Sequence, residues 1–183
     1  MRLILASRSP QRRALLRGLG IRFTVRPPRF EEVAQGDPSE VALANALGKA
    51  LSVARRDGEV VLGVDTVVAL GGRIYGKPAN EAQARETLEA LSAATHTVFS
   101  GVALVGPSAE PRTAVAATAV SFRALDAAAI DSYLATGEWE GRAGGYAIQG
   151  AGAALVLALD GDHTNVIGLP VPTLLSLWPA LVR

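Results

Sequence analysis

Several polar residues interrupt an otherwise apolar chain, and their types suit the binding of a metal ion and a polyphosphate. Asp65 is the only charged residue between Val60 and Leu70, two adjacent acids stand at Glu31 and Glu32, and Lys77 follows a glycine. Carboxylates are ligands for hard divalent cations, and lysine and arginine bind phosphate groups. Acids and cations spread through the chain in this way predict a shared cleft.

Asp65 carries the strongest of these indications. Burying a carboxylate within a valine-rich strand is unfavourable unless the charge is paired or bound to a cation. One interpretation is a metal ligand or a general base held on a rigid strand. The other is a carboxylate at a strand end that caps a loop.

The segment from Ser7 to Arg13 lies between a predicted strand and a predicted helix. Free backbone N–H groups and the helix dipole attract anions at such a place, and hydroxyl and guanidinium groups add donors. The alternative is a capped helix with a solvated basic first turn. Gln11 is neutral, so Arg12 and Arg13 are the charged candidates. They point about 100° apart on a helix, so only one of them is expected to face a ligand.

The acid pair at Glu31 and Glu32 allows two interpretations. Arg26 and Arg29 are near in sequence, so the pair could form surface salt bridges that contribute little. Alternatively, one of the two acids supplies a second oxygen donor and completes a metal site with Asp65.

Two lysines are further candidates for binding phosphate. Lys49 shares a predicted helix face with Asn45 and Ser52, a polar pattern that is typical of a solvated face. Lys77 ends a near match to the phosphate-binding loop, but Pro78 provides neither a hydroxyl for magnesium nor an N–H group for phosphate. That motif is therefore rejected, and Lys77 remains a candidate point charge or a surface turn residue.

A glycine-rich stretch occupies residues 141–152 and allows backbone to approach a ligand closely. Within it, Gln149 can both donate and accept hydrogen bonds and could contact a base edge, although a plain loop is the alternative. His96 and His163 are expected to be structural or solvated.

Composition limits the classes of function. Lys and Arg total 18 and Asp and Glu total 17, which gives a net charge of +1, so stable nucleic-acid binding is not expected. The chain has no cysteine and two histidines, so a metal would be held by oxygen, as magnesium or manganese is. Neither a targeting segment nor a membrane span is recognisable, which predicts a cytoplasmic protein.

Strands and helices interleave along the chain, with some hairpins. This order predicts an α/β fold in which helices flank a mixed, twisted sheet, in a single domain over residues 1–183. The predicted strands are Arg2–Ala6, Arg22–Arg26, Glu59–Leu70, Arg73–Tyr75, a hairpin of Thr95–Val105 and Thr113–Phe122 with a loop from Pro107 to Pro111, and Ala153–Leu159. The predicted helices begin at Pro10, Pro38, Asn80, Asp126 and Val171 and end near Arg17, Arg56, Leu91, Thr136 and Leu181.

The second of these helices bears on the lysine candidates. We expect it to bury a face made of Val41, Ala44, Leu47 and Leu51. The polar stripe of Asn45, Lys49, Ser52 and Arg56 would then lie on another side.

Taken together, these segments resemble the Maf family of nucleotide pyrophosphatases over nearly the whole chain. The matching motifs are Leu3–Leu16 with its Ser-x-Ser-Pro pattern, Glu31-Glu32, Leu62–Val68, Gly76-Lys77-Pro78, Leu91–Val98, Ala143–Gly150 and Gly168-Leu169-Pro170. Each motif is modest alone, but the set is specific in this order and spacing. The form Tyr146-Ala147-Ile148-Gln149-Gly150 is similar to the branch that acts on dTTP and UTP.

The resemblance implies hydrolysis of a nucleoside triphosphate to the monophosphate and pyrophosphate, with a divalent cation (magnesium, manganese or cobalt). It also implies two lobes around a deep cleft, as in the Maf and ITPase-like folds, and often a homodimer. The position of Asp65 matches the general base, and Glu32 and Asp65 match the metal site. The triphosphate-binding positions match Ser7, Arg12, Lys49 and Lys77. Base choice is associated with the positions of Gln11, Thr66 and Gln149.

One departure concerns the arginine pair that follows Ser-Pro in the family. Here Gln11 stands in the first position and Arg12 in the second, and Arg13 would substitute only if the helix start shifted. Two rival functions stay open: a purine-specific house-cleaning pyrophosphatase or general phosphatase, and a nucleotide-binding regulator of cell division without turnover.

Overall fold

The computed structural model describes residues 1–107 and 110–182. The strands within these residues are β1 (Arg2–Ala6), β2 (Phe23–Val25), β3 (Glu59–Leu70), β4 (Arg73–Tyr75), β5 (Thr95–Val105), β6 (Arg112–Phe122) and β7 (Val156–Asp160). The helices are α1 (Pro10–Gly18), α2 (Pro38–Leu51), α3 (Glu81–Leu91), α4 (Ala127–Leu134), α5 (His163–Ile167) and α6 (Val171–Leu177). Short 3-10 turns span Ala143–Gly145, Ala151–Leu155 and Pro179–Val182.

The strands form one mixed sheet in the order β2-β1-β3-β5-β6-β7, and β4 pairs with β3 outside this path. The β1 strand is parallel to β2 and β3, whereas β3, β5, β6 and β7 pair antiparallel. The predicted mixed sheet with flanking helices is therefore confirmed. Part of the predicted loop between β5 and β6, residues 108 and 109, lies outside the described residues. No helix in the described part of the chain has the length and apolar character to cross a membrane.

Two hydrophobic cores share one face of β3. Leu62 and Val64 pack in a core with β1 and α6, whereas Val68 packs in a second core with α3, α4 and β6. Side chains alternate along a strand, so Thr66 lies on the same face between the two cores. Asp65 points to the opposite face of the sheet, where α2 packs.

Close backbone contacts decide which side of α2 meets that face. A Cβ atom on Gly63 would lie 2.1 Å from the carbonyl oxygen of Ala46, and one on Gly101 would lie 2.2 Å from that of Ala42. Only small side chains fit between backbones this close, so the buried face carries Ala42, Ala46 and Ala50. The predicted apolar side was wrong in part, since Ala44 is exposed and Leu51 is 59% exposed.

Several predicted element boundaries differ from the structure for identifiable reasons. The second helix ends at Leu51 instead of near Arg56, because Arg26 donates to the carbonyl of Ala54 and the Glu59 carboxylate accepts the N–H of Arg56. The last helix ends at Leu177, because Trp178 precedes Pro179 and a residue before proline disfavours helical angles.

The region after α4 also differs from expectation. The predicted strand from Ala153 begins at Val156, because the Glu138 carboxylate accepts the N–H groups of Ala151 and Gly152 and holds a 3-10 turn there. The short helix α5 was missed. Asp162 caps it by accepting the N–H of Thr164, so His163 begins a helix where a turn was predicted.

Candidate active site

A cleft opens where the edge of β3 lacks a partner strand. The β1 strand pairs with β3 as far as Gly63, and on the same edge β4 begins to pair only at Val68. Asp65 and Thr66 fall in the gap and line a cleft of about 450 Å³. Ligands of α/β proteins commonly bind at the carboxyl ends of parallel strands, and β1 ends here.

Every site residue predicted from the sequence lines this cleft. These residues are Ser7, Gln11, Arg12, Glu32, Lys49, Asp65, Thr66, Lys77 and Gln149. They come from the β1–α1 connection, the first turn of α1, the segment before α2, α2 itself, β3, the segment after β4 and the glycine-rich stretch. The structure thus brings distant segments together, while the individual roles of these residues stay predictions.

The Asp65 carboxylate is 8% exposed and has two donors from α2. Lys49 Nζ lies 2.5 Å from Asp65 Oδ1, and Asn45 Nδ2 donates to Asp65 Oδ2 at 3.0 Å. The expected solvated face of α2 was therefore wrong at these two positions. Both side chains are buried, because the alanine face of α2 sets them over the middle of β3. These two donors fix the orientation of the buried carboxylate in the cleft.

Glu32 and Asp65 meet on either side of one ammonium group. Lys49 Nζ is 2.6 Å from Glu32 Oε1 and 2.5 Å from Asp65 Oδ1. The alternative expected for Glu32 was a surface salt bridge with Arg26 or Arg29. Arg26 instead pairs with Glu59. The two candidate ligands therefore face the same cleft.

The donor set fits a divalent cation only with oxygens from a ligand. Within the described residues, no group of three or more His, Cys, Asp or Glu side chains could hold a metal ion. Magnesium in phosphate-processing sites is often bound by one or two carboxylates together with phosphate oxygens and water. Glu32 and Asp65 match that arrangement, and both contact the Lys49 ammonium group.

Arg12 is clamped on the opposite wall by three neutral acceptors. Its Nε donates to the carbonyl of Gly168 at 2.8 Å, and its two terminal nitrogens donate to Ser7 Oγ at 3.0 Å and Thr66 Oγ1 at 3.2 Å. Thr66 Oγ1 also lies 2.8 Å from Ser100 Oγ. Burial lowers the pKa of Arg12, and the negative charges of Asp65 and Glu32 oppose that shift. The guanidinium is thereby held at a fixed place in the cleft.

The start of α1 decides which basic residue faces the cleft. The helix begins at Pro10 with Ser9 as its cap, as predicted, and Ser9 Oγ donates to Gln11 Oε1 at 2.9 Å. Gln11 and Arg12 line the cleft and Arg13 does not. The helix start has not shifted, so Gln11 occupies the place of the family's first arginine.

The far rim of the cleft is held by the glycine-rich stretch. Gly144 adopts φ +70° and donates its N–H to the carbonyl of Gly76, next to Lys77. Tyr146 is buried and its hydroxyl lies 2.8 Å from His96 Nε2. These contacts position Lys77 and the exposed Gln149 on one rim.

Three residues of the site were missed as candidates. Arg8 and Arg142 line the cleft, and Asn45 donates a hydrogen bond to the Asp65 carboxylate. Arg8 lay inside the basic motif and Arg142 inside the glycine-rich stretch, but neither was named as a candidate. The cleft therefore carries five cationic side chains against two carboxylates: Arg8, Arg12, Lys49, Lys77 and Arg142 against Glu32 and Asp65. This excess suits a polyanion.

Comparisons with known proteins give a consistent family. A family model described as "Maf-like protein" matches residues 2–180. The dTTP/UTP pyrophosphatase of Gloeobacter violaceus is 48% identical over 97% of this chain and 94% of its own length. The enzyme of the same name from Sphingopyxis alaskensis is 47% identical over 92% of this chain and 90% of its own length. Among solved structures, the Ham1 protein of Staphylococcus aureus aligns with a TM-score of 0.47 and 17% identity, over 67% of this chain and 72% of that one.

Proposed function

Because this chain belongs to the family of Maf-like proteins, we propose that it is a nucleoside triphosphate pyrophosphatase for dTTP and UTP. The products would be the nucleoside monophosphate and pyrophosphate. Relatives that are 48% and 47% identical carry the name dTTP/UTP pyrophosphatase. The observation that carries the proposal is the buried Asp65, supported by Lys49 and Asn45 in a cleft rich in cations.

In the proposed reaction, water attacks the α-phosphorus and the bond from that phosphorus to the bridging oxygen breaks. Asp65 takes the proton of the attacking water. A divalent cation held by Glu32 and Asp65 would neutralise charge on the phosphate oxygens. Lys49, positioned at the two acids, would contribute its ammonium charge to binding the phosphate chain.

The other cations of the cleft would act on the leaving group. Negative charge on the pyrophosphate grows as the bond breaks, so fixed positive groups stabilise the transition state more than the ground state. Arg12 and Ser7 lie on one wall and Lys77 on the other rim, which suits a phosphate chain that runs between them. Arg12 is already oriented by Thr66 and Gly168, so little reorganisation is required.

Base selection is proposed for Gln11, Thr66 and Gln149. A glutamine amide offers an adjacent donor and acceptor, which is what a uracil or thymine edge requires. Gln149 is exposed at the rim and Gln11 lies at the start of α1, so both amides can reach a base that enters the cleft.

The substrate assignment is tested with a panel of nucleoside triphosphates in magnesium, manganese or cobalt, with pyrophosphate and orthophosphate measured separately. We expect pyrophosphate release from dTTP and UTP, at rates above those for purine nucleotides. A preference for GTP or ITP would support the purine-specific alternative. Orthophosphate release would indicate a phosphatase, and tight binding without turnover would indicate the regulatory alternative.

The remaining predictions about partners and place accompany this proposal. We place the activity in the cytoplasm, where nucleoside triphosphates are made and used, with a homodimer as the expected assembly and without stable binding to nucleic acid. Residues 1–183 are proposed to form one domain.

A further inference from the structure

The segment that carries Glu32 lies along one face of α2. Residues 26–37 contain no regular secondary structure. Their contacts fall on positions of α2 spaced three or four residues apart, which share one helix face. The contacting positions of α2 and its end are Asn45, Gly48, Lys49 and Ser52.

Asn45 makes the most specific of these contacts. Its Oδ1 accepts the N–H of Val33 at 2.8 Å, and its Nδ2 donates to the carbonyl of Val33 at 2.9 Å. The same Nδ2 donates to Asp65 Oδ2 at 3.0 Å. The side chain is 1% exposed, so these bonds offset the unfavourable burial of an amide. One side chain thus touches both the Glu32 segment and Asp65.

Gly48 provides a second contact for the same segment. A Cβ atom at this position would lie 2.1 Å from the ring of Phe30. The ring therefore lies directly against the backbone of α2, which no residue with a side chain would permit. Phe30 and Val33 flank Glu32 on its two sides, so both ends of this short stretch are fixed to the helix.

These contacts matter because Glu32 has little to hold it otherwise. Its side chain is 46% exposed, and its contact with Lys49 is an ion pair at the surface of the cleft. Such pairs contribute little to fixing a geometry on their own. The backbone at Val33, which Asn45 holds, therefore helps to place Glu32 relative to Asp65, together with the shared contact to Lys49.

We propose that Asn45 is a positioning residue that fixes the Glu32 segment and the Asp65 carboxylate in a single arrangement. It acts through those two acids and does not itself contact the substrate. The inference rests on the proposed function, since the acids must meet at a nucleotide for their geometry to affect turnover.

The first test replaces Asn45 with alanine, which removes the side-chain amide and favours the helical conformation. Asn45→Ala should lower kcat for dTTP hydrolysis by about 10- to 100-fold, the range for residues that orient metal and proton-transfer groups. KM for dTTP should change by less than about threefold, because Ser7, Arg12 and Lys77 lie on other elements. Hydrogen exchange of the Val33 amide in the free protein should become faster, a result that is independent of activity.

Two further variants separate positioning from loss of stability. Gly48→Ala displaces the Phe30 ring while alanine favours the helix more than glycine, so kcat should fall without a lower melting temperature. Ser52→Ala is the matched control. It removes the exposed bond from the N–H of Arg29 to Ser52 Oγ and the bond from Ser52 Oγ to the carbonyl of Lys49. The bonds of Asn45 stay in place, so kcat should stay within about threefold of wild type.

A double variant tests whether Asn45 acts through Glu32. Because Asn45 also holds Asp65, Asn45→Ala should still slow the Glu32→Ala protein, but by a clearly smaller factor than it slows the wild type. Fully additive losses would overturn the inference. So would an Asn45→Ala or Gly48→Ala protein with wild-type kcat and a rapidly exchanging segment. If the wild-type enzyme releases no pyrophosphate, the proposed function fails, and that result is distinct from either of these.

Discussion

At the scale of single residues, the proposed reaction depends on Asp65. The position combines burial in a central strand with two donors, the Lys49 ammonium and the Asn45 amide. These donors fix the orientation of the carboxylate, which lines the cleft. Glu32 meets it through the same lysine, so the two acids and one cation form a compact group.

Asp65→Asn should abolish most of the activity while the protein still folds. Asparagine has nearly the same shape, and Lys49 keeps Glu32 as its partner. Loss of a general base lowers rates by about 10²- to 10⁴-fold, so kcat for pyrophosphate release from dTTP should fall by that factor. The variant is measured by pyrophosphate release, and its folding by thermal unfolding.

The matched control is Glu31→Gln. Glu31 is the exposed acid next to Glu32 in the chain, and it does not line the cleft. The rate of this variant should stay close to that of the wild type. An Asp65→Asn enzyme that keeps more than about a tenth of the wild-type kcat would contradict the role of Asp65 as the base.

At the scale of elements, an ion pair ties the end of β2 to the start of β3. Both terminal nitrogens of Arg26 donate to the Glu59 carboxylate at 2.6 Å, and Arg26 also donates to the carbonyl of Ala54. The N–H of Arg56 donates to the same carboxylate at 2.8 Å. This bidentate pair links the segment after β2, the connection that follows α2 and the start of β3.

The ion pair between Arg26 and Glu59 makes the free energy of unfolding depend on pH in the acidic range. The hydrogen bonds from Arg26 lower the pKa of Glu59 from 4.5 to about 2. The carboxylate therefore stabilises the fold above pH 4.5, and this contribution disappears as the pH falls from 4.5 to 2, since the unfolded chain takes up the proton first. Glu59→Gln should be less stable than wild type at pH 7, and the difference should shrink toward pH 2.

Urea unfolding at pH 7, 4 and 2.5 measures this effect. Asp57→Asn is the control, since this neighbouring acid is exposed. If the free energies of unfolding of Glu59→Gln and wild type differ by the same amount at every pH, the pair does not stabilise the native fold as described.

At the scale of the whole molecule, an aromatic cluster joins the sheet to the rim of the cleft. His96 on β5, Phe122 on β6 and Tyr146 in the glycine-rich stretch pack edge to face, with ring centroids 4.9 to 5.4 Å apart. The His96 Nε2 contact with the Tyr146 hydroxyl fixes the stretch that carries Gln149. The structure is consistent with the expected structural role of His96.

Through His96, this cluster makes the free energy of unfolding depend on pH in a second range. Burial lowers the pKa of His96 from 6.5 to about 4. The unfolded chain binds the proton first, so the fold loses stability as the pH falls from 6.5 to 4. His96→Gln cannot titrate but can still reach the tyrosine hydroxyl, and its stability should vary less with pH over that range.

The comparison uses urea unfolding of both proteins from pH 7.5 to 4, with His163→Gln as the control for a histidine at a helix start. We expect the wild type to lose more of its free energy of unfolding than His96→Gln over this range. Parallel curves for the two proteins would exclude His96 as a source of acid sensitivity.

Local properties of the sequence indicated Asp65 and the start of α1, whereas the other site residues were assigned through the resemblance to a family. A lone carboxylate in a valine-rich strand marks Asp65, and a serine followed by proline marks the start of α1. The mixed sheet followed from the order of apolar segments. These features depend on neighbours in the chain, which is why sequence alone was sufficient to determine them.

Only the tertiary structure decided which face of α2 is buried and what lies on it. Helical periodicity favoured Leu51 for the core and solvent for Asn45 and Lys49, because leucine is the more apolar residue. In the folded protein, Gly63 and Gly101 admit alanine alone at the closest contacts, and the helix turns its polar residues toward Asp65. The fit between two backbones distant in sequence overrides the hydrophobicity of single side chains, and no local pattern records that fit.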